Sequence, residues 1–273
     1  MNNQPSAINR PAITNKHSIV YDQPLATIIM ITLDRSELTE RITRRNIAIC
    51  GVPREKLQII IIDNNSTEFD IIEFGAHYAD IHIANTVNLG VAKAQNMGLV
   101  RALGTCVCLM GNDIEMPANW LFKAMGTCTY TLAGLIGIDC LGKADGNYQL
   151  INGIAVNGGD VFGTVIFHRE RILSLAGYLC NAYGAYGLED SDFSYRIQQA
   201  GLSNYYLHGM TSHHAAPDVG QDTEYRRGKD ASLQANAEVF GEMQQWYAER
   251  GLYLPANNFG FDAILGWYTS DSN

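Results

Sequence analysis

Short apolar runs alternate with amphipathic stretches along the first half of the chain. Continuous apolar runs rich in β-branched residues occupy residues 26–32, 57–62 and 107–110, and each run stops at a polar turn. Such runs are typical of strands that are covered on both faces. The segment at residues 37–50 places apolar side chains near one helical face, with Ser36 as its candidate cap. The alternation predicts a parallel sheet with right-handed helical crossovers.

The same cues predict the remaining elements, and regular structure is expected to begin near Leu25. Further strands are predicted at residues 80–84, 132–140, 148–151, 161–167 and 204–211, and further helices at residues 88–103, 169–176, 189–200 and 232–250. The pair Asp145-Gly146 predicts a hairpin turn between two of these strands. The pattern at residues 232–250 is amphipathic, which fits a helix that covers the core as well as one that faces a dimer partner or a membrane.

Composition narrows the class of protein. The chain has 273 residues, of which 47% are hydrophobic and 17% are charged, a profile typical of a globular protein with its own core. A formal charge of −9 and a pI near 5.2 disfavour nucleic acid as a partner and a polybasic membrane patch. No run of about 18 apolar residues is present, so we expect no transmembrane segment. Residues 1–22 lack the apolar core of a signal peptide. These features predict a cytoplasmic protein, either free or peripheral to a membrane.

The cysteines do not form a metal-binding pattern. The six of them lack CxxC pairs and the histidine spacing of a zinc finger. We therefore expect buried small side chains in a reducing compartment.

The turn after the apolar run at residues 107–110 carries a candidate metal ligand. Gly111 and Asn112 end the run, and Asp113 follows directly. Ligands of open α/β sheets bind at the carboxyl ends of the strands. A carboxylate at such an edge can hold a divalent cation against a phosphate. Asp113 is therefore the predicted metal site.

The turn after the first strand excludes the common dinucleotide-binding folds. It has the sequence TLDRS at residues 32–36 and contains no glycine, whereas those folds need glycines there for the backbone to approach a pyrophosphate. A Walker loop is also absent from the sequence. A nucleotide bound here must be held by side chains from several strand ends.

Five motifs then occur in an order that matches a known family. They are TLDR at residues 32–35, IDNNST at 62–67, NLGVAKAQNMG at 88–98, GND at 111–113 and GLEDSDF at 187–193 with Arg196. In this order they resemble the inverting glycosyltransferases of family 2 with the GT-A fold. The resemblance implies an α/β, Rossmann-like GT-A fold with a mixed, mostly parallel central sheet flanked by helices. It also implies transfer of a sugar from a nucleoside-diphosphate donor, with UDP-linked sugars slightly preferred.

The resemblance assigns roles to individual residues. Asp190 is the implied general base, and Glu189 binds sugar hydroxyls. Mn²⁺ or Mg²⁺ would bridge the donor diphosphate, held by Asp113 together with His213 or His214. The residues implied to bind the nucleotide-sugar are Thr32, Asp34, Asp63, Asn64, Asn88, Gly90, Lys93, Asn96, Gly111 and Asn112.

Several of these assignments have structural alternatives. Asp34 and Asp63 are also ordinary turn residues, and acids at residues 189–192 also favour a helix N-terminus. Either histidine can equally be a surface residue. The loop at residues 178–187, rich in Gly and Tyr, fits a lid over the site as well as ordinary packing.

The sequence also departs from the family pattern. Gly111 replaces the first acid of the metal motif, which reduces the expected metal affinity, and Gln95 replaces an arginine whose charge Lys93 can supply. A retaining transferase, or a degenerate domain that binds sugar nucleotide or glycan without turnover, therefore remains an alternative.

The domain boundaries and acceptor follow from the resemblance. We expect a flexible N-terminal arm at residues 1–22, a GT-A catalytic domain at 23–215 and a C-terminal helical extension at 216–273 packed on it. The acceptor is expected to be a glycan, a lipid-linked sugar or a protein. A homo-oligomer is compatible with the sequence.

Overall fold

A computed structural model describes residues 12–15, 24–139, 142–215 and 224–256, which form a mixed α/β structure. Its strands are β1 (Ala12–Asn15), β2 (Ala26–Thr32), β3 (Leu57–Asp63), β4 (Ile81–Ala84), β5 (Cys106–Met110), β6 (Ile114–Glu115), β7 (Ile136–Asp139), β8 (Gln149–Ile151), β9 (Ile154–Gly158), β10 (Val165–His168), β11 (Tyr205–Thr211) and β12 (His213–His214). Its helices are α1 (Ser36–Ala48), α2 (Phe69–Tyr78), α3 (Val91–Leu99), α4 (Trp120–Thr131), α5 (Arg169–Leu175), α6 (Glu189–Gln199) and α7 (Glu224–Arg250).

The first half of the chain builds a parallel half-sheet. The strand order of the large sheet is β1-β4-β3-β2-β5-β10-β7-β11-β9-β8, and β4, β3, β2 and β5 run parallel to one another. Thr32 pairs with Asp63, and Asp63 pairs with Ala84, so three strands end at the same edge. The polar turns that follow these strands are therefore gathered along that edge.

The second half adds antiparallel strands to the same sheet. β10 runs antiparallel to β5 with Val165 opposite Leu109, which brings the residues before Val165 to the carboxyl end of β5. β6 and β12 form a separate two-stranded ribbon directly after that end.

Helices cover both faces of the sheet because alternate residues of its central strands point in opposite directions. Ile28 belongs to the apolar cluster that also contains residues of α1, α2 and α4, whereas Ile29 belongs to the cluster with α3, α5 and α6. A third cluster joins Val239, Met243 and Tyr247 of α7 to the loop before α6. The buried cluster confirms that the apolar face of α7 covers the core.

The strands predicted from apolar runs are confirmed, and the five cysteines within the described residues are buried and free. The hairpin predicted at Asp145-Gly146 is wrong. The observed hairpin joins β8 to β9 through Asn152 and Gly153, both with positive φ, and β7 instead pairs with β10 and β11. Asn-Gly has the conformational freedom that a type I′ turn requires.

Two further predictions differ from the structure, and one helix was not predicted. Regular structure begins before Leu25, because residues 12–15 pair with β4, while the rest of the predicted arm lies outside the described residues. Ser36 is not the cap of α1. It is the first helical residue, and its backbone N–H donates to the Glu68 carboxylate at 2.7 Å. Helix α2 has no counterpart among the predicted elements.

Candidate active site

The turns after β2 and β3 are bonded to each other. Asp34 Oδ1 accepts hydrogen bonds from the backbone N–H groups of Thr67 at 2.7 Å and Glu68 at 3.2 Å. Asp63 is 1% exposed, and its carboxylate accepts from the backbone N–H and the hydroxyl of Ser66. Both aspartates thus have the turn-forming role that was the alternative to ligand binding.

The asparagine pair beneath these turns fixes the entry to α3. Asn64 Nδ2 donates to Asn88 Oδ1 at 2.8 Å, and Asn64 Oδ1 accepts from Leu89 N at 3.0 Å. Gly90 has a φ of 78°, and a Cβ there would lie 2.6 Å from the carbonyl oxygen of Gly184. Asn64 and Asn88 therefore shape the site, and Gly90 permits the loop before α6 to pack closely against it.

Helix α3 connects the same edge to the loop at residues 178–187. Asn96 is 4% exposed, donates to Leu179 O at 2.9 Å and accepts from Leu179 N at 3.0 Å. Tyr183 in this loop is 2% exposed, whereas Tyr186 is 39% exposed. These contacts favour ordinary packing over a lid for most of the loop. Lys93, in the first turn of α3, is half-buried.

Two buried hydroxyls lack partners on either side of the end of β5. Thr32 Oγ1, at the end of β2, and Thr164 Oγ1, just before β10, have no hydrogen-bond partner within the described part of the chain. Both residues are at least 96% buried, given exposures of 0% and 4%. Buried polar groups are normally hydrogen-bonded, so unpaired ones concentrate at functional sites.

The turn after β5 places Asp113 next to a cation. Arg35, which has a φ of 59°, brings its guanidinium to 3.7 Å from the Asp113 carboxylate. Asn112 points the other way and donates to Thr39 of α1 at 2.8 Å. A Cβ added to Gly111 would lie 3.4 Å from Asp113 Oδ1, which is ordinary van der Waals contact.

The ribbon of β6 and β12 brings both predicted histidines to this turn. His213 lies opposite Glu115, His214 lies opposite Ile114, and the carbonyl of Asp113 accepts from Ala215 N at 2.8 Å. Because side chains alternate along a strand, His213 shares a ribbon face with Glu115, and His214 shares the other face with Ile114. The two histidines are exposed.

The residues at this ribbon offer few metal ligands of their own. Within the described ranges no group of three His, Cys, Asp or Glu side chains is placed to hold a metal ion. A carboxylate at Asp113 and an imidazole at His213 are nevertheless a donor set that suits Mn²⁺ when substrate phosphates complete the coordination.

The acidic pair lies at the start of α6 and is bonded to the same edge of the sheet. Asp190 Oδ2 accepts from Gly163 N at 2.8 Å, and Asp190 Oδ1 accepts from Ser191 N at 2.8 Å. Burial raises the pKa of Asp190 above its ordinary value. Glu189 is 6% exposed, and burial, followed by the neighbouring charge of Asp190, raises the pKa of Glu189 to about 8.

The third acid of this motif has a structural role. Asp192 is fully buried and accepts from Arg196 Nε at 2.8 Å, Tyr183 OH at 3.1 Å and Tyr247 OH at 2.8 Å. Desolvation, and then the charge of Asp192, raise the pKa of both tyrosines, which therefore stay protonated as donors. The network links α6 to α7.

Separate direct contacts therefore hold several of the predicted residues at one edge of the sheet. Asp34 bonds the turn after β3, Arg35 reaches Asp113, Asp113 bonds the histidine ribbon, and Gly163 bonds Asp190. Three residues that contact this edge were not among the predicted site residues: Arg35, Gly163 and Thr164. Of these, Arg35 alone lies inside one of the sequence motifs, TLDR at residues 32–35.

A family model matches a large part of this region. Residues 27–137 match glycosyl transferase family 2, and these residues include β2 to β6 and the Asp113 turn. No curated protein sequence matches the chain.

Solved structures share the architecture at low sequence identity. A mannosyltransferase, PcManGT from Pyrobaculum calidifontis in complex with GDP-Man and Mn²⁺, is 20% identical with a TM-score of 0.58, and the match covers 90% of this chain and 81% of that one. S. aureus TarS 1–349 in complex with UDP is 16% identical with a TM-score of 0.53, and the match covers 68% and 59%. GalNAc-T7 with UDP, GalNAc and Mn²⁺ is 14% identical with a TM-score of 0.58, and the match covers 71% and 44%. The chain thus spans less than two thirds of the latter two proteins.

No helix within the described residues is both long enough and apolar enough to cross a membrane.

Proposed function

We propose that this chain, whose residues 27–137 match glycosyl transferase family 2, is a glycosyltransferase that moves a sugar from a nucleoside-diphosphate donor to an acceptor hydroxyl with inversion. The observation that carries the proposal is the hydrogen bond from Gly163 N to Asp190 Oδ2 at 2.8 Å. Gly163 precedes β10, whose neighbour β5 ends at the Asp113 turn. An acid suited to activate an acceptor thus faces the edge where a donor diphosphate would lie.

Asp190 is the proposed general base. The acceptor oxygen attacks the anomeric carbon, Asp190 takes its proton, and the bond to the diphosphate breaks with the electron pair leaving on the nucleoside diphosphate. Two backbone N–H groups orient the carboxylate while its remaining lone pairs stay available to the acceptor. Glu189, more deeply buried, is proposed to hydrogen-bond a sugar hydroxyl.

The donor is proposed to lie along the ends of β2, β3 and β5. Thr32, whose buried hydroxyl has no partner among the described residues, and Lys93, in the first turn of α3, would contact the donor. The other residues predicted from sequence to bind the donor would line this edge of the sheet together with their turns. UDP-sugars are the first choice, in keeping with the sequence resemblance and with the UDP bound by two of the structural neighbours.

A divalent cation is proposed at Asp113, with His213 as the second ligand. We prefer His213 over His214 because it lies opposite Glu115, the residue two positions after Asp113, and side chains two apart on an extended chain share a face. Asp113 and His213 would hold the cation, which would supply positive charge against the charge that develops on the leaving diphosphate. Two of the solved structures contain Mn²⁺, which an imidazole ligand also favours.

Thermal stabilisation by nucleotides tests the donor and metal assignments together. UDP, GDP, dTDP and CDP are each added with Mn²⁺, with Mg²⁺ and with EDTA, since a ligand of the native state raises the midpoint. We expect one nucleotide to stabilise the protein, with metal required. The metal-dependent shift should vanish in Asp113→Asn and persist in Asp145→Asn, which removes an exposed carboxylate elsewhere. No shift with any nucleotide would contradict the proposed donor site.

The observation that Gly111 stands in place of an acid favours one competing function, a domain that binds sugar nucleotide without turnover. Donor hydrolysis or transfer above the background of Asp190→Asn rejects it. The anomeric configuration of the product, read by NMR, distinguishes inversion from retention.

A further inference from the structure

Helix α7 holds the loop before the acidic pair through two polar side chains. Asn236 Oδ1 accepts from Gly184 N at 3.0 Å, and Asn236 Nδ2 donates to Tyr186 O at 3.0 Å and to Gly187 O at 2.7 Å. Ser232 Oγ accepts from Tyr186 N at 3.1 Å and donates to Tyr186 O at 2.8 Å. We refer to these contacts of Ser232 and Asn236 as the clasp.

The clasp holds the backbone directly before Glu189. The carbonyl of Gly187, which accepts from Asn236 at 2.7 Å, lies two residues before Glu189. Gly187 has a φ of 96°, and a Cβ there would lie 2.4 Å from Leu233 Cδ2 of α7. Glycine therefore permits both the backbone conformation and the close approach of the helix.

The burial of Asn236 distinguishes it from its neighbours on α7. Asn236 is 3% exposed, whereas Gln234, Ala235 and Ala237 are exposed. An apolar side chain would suffice at a buried position if α7 only covered the core. A buried amide that satisfies three backbone groups instead specifies one arrangement of the loop.

A second contact fixes the other end of the same helix. Tyr247 OH donates to Asp192 at 2.8 Å, three residues beyond Glu189. Helix α7 is thus bonded both before and after the start of α6, on either side of the acidic pair.

We propose that Asn236 is a positioning residue for the acidic pair Glu189–Asp190, acting through the backbone of residues 184–187. This inference rests on the proposed function of that pair in transfer. Asn236 does not touch substrate. It holds the backbone of the loop in one arrangement up to Gly187, and so fixes where the acids that follow stand relative to the acceptor.

Three α7 variants test the proposal against a simple structural role. Asn236→Ala removes the bonds to Gly184, Tyr186 and Gly187, whereas Ser232→Ala removes only those to Tyr186. Gln234→Ala is the matched control, since it changes an exposed residue of the same helix. If Asn236→Ala does not fold, Asn236→Ser replaces it, because a shorter polar side chain loses the bonds to Gly187 without placing an apolar group among the amides.

Steady-state kinetics supply the first readout. We expect kcat to fall by about 10-fold to 100-fold in Asn236→Ala, the cost of misplacing catalytic groups by about 1 Å. KM for the donor should stay at the wild-type value, and the acid limb of the pH profile of kcat should move. Ser232→Ala should lose less activity, and Gln234→Ala none. A wild-type pH profile in Asn236→Ala would overturn the proposal even if kcat fell.

Hydrogen–deuterium exchange supplies a readout that does not depend on activity. Exchange at residues 184–192 should rise in Asn236→Ala and not in Gln234→Ala. Unchanged exchange there would overturn the proposal. If the wild type neither transfers nor hydrolyses any donor, and exchange still rises in Asn236→Ala, the result would instead contradict the proposed function and leave the positioning of the acids by Asn236 supported.

Discussion

The guanidinium of Arg35 lies 3.7 Å from the carboxylate of Asp113, the carboxylate left in a motif whose first position is Gly111. Arg35 reaches it from a left-handed backbone conformation directly after β2. The side chains are 34% and 26% exposed, so solvent screens the pair. Arg35 therefore balances the charge of Asp113 and competes with any cation that binds there.

Removing this competing charge should strengthen metal binding. Arg35→Gln is expected to lower the Mn²⁺ concentration needed for nucleotide binding by about twofold to fivefold, the range of an exposed ion pair of up to ~1 kcal/mol. Calorimetric titration of Mn²⁺ at saturating nucleotide measures the change. Arg41→Gln is the control, because Arg41 pairs with Glu115 at 2.9 Å on the same ribbon. An unchanged Mn²⁺ requirement in Arg35→Gln would contradict this competition. Weaker nucleotide binding in Arg35→Gln alone would mean that Arg35 binds the diphosphate itself.

Restoring an acid at residue 111 should have a similar effect by a different route. The backbone at Gly111 has no positive φ, and a Cβ fits beside Asp113, so Gly111→Asp introduces a second carboxylate without a clash. We expect the Mn²⁺ dependence of nucleotide binding to shift to lower metal concentration. Gly159→Asp, which adds an acid where a Cβ meets nothing within 4 Å, is the control. Equal behaviour of the two variants would place the metal elsewhere.

Asp190→Asn should abolish transfer and leave donor binding intact. An amide cannot take the acceptor proton, and loss of a general base typically lowers the rate by about 10²-fold to 10⁴-fold. Calorimetry with the donor nucleotide checks binding, and product formation checks turnover. Asp145→Asn removes an exposed carboxylate and should retain both. Transfer by Asp190→Asn at the wild-type rate would rule out this base.

The raised pKa of Glu189 predicts a change of stability with pH. Burial raises it from 4.5 to about 8, so the folded state holds this proton more tightly than the unfolded state. The contribution to stability is fully present below pH 4.5 and is lost as the pH rises through about 8. Asp190 and Asp192 add negative charge nearby, and Arg196 pairs with Asp192.

Glu189→Gln removes this titration. Its thermal midpoint should exceed that of the wild type by several degrees at pH 9 and match it at pH 4. Glu238→Gln, on the exposed face of α7, should behave as wild type at both values. A Glu189→Gln midpoint that follows the wild type throughout would show that the carboxylate is not held protonated.

Local sequence specified the parallel half of the sheet because its strands are covered on both faces. Ile59, Ile60 and Ile61 are all fully buried, and such a run has few alternatives to a central strand. The hairpin was misplaced because Asp145-Gly146 and Asn152-Gly153 carry equal turn signals. The two turn signals are distinguished only by the pairing of β7 with β10 and β11, strands that lie far from β7 in the sequence.

The motifs indicate which residues lie at the strand ends of the site, but not which partners those residues bond. Strand-end position alone brings Asp34, Asp63 and Asp113 to one edge. The partners that set their roles come from elsewhere in the chain, as Thr67 does for Asp34. Asn236 lies 49 residues from Gly187, so no motif near the acids signals its contact.

The most direct test of the account is release of nucleoside diphosphate from a panel of UDP-, GDP-, dTDP- and CDP-sugars with Mn²⁺ and a simple hydroxyl acceptor. The wild type and Asp190→Asn are compared at equal nucleotide occupancy. The account predicts release from one nucleotide class by the wild type, loss of that release in Asp190→Asn, and a product of inverted anomeric configuration. If the wild type binds a nucleotide-sugar but releases no more nucleoside diphosphate than Asp190→Asn does, the proposed transfer is contradicted.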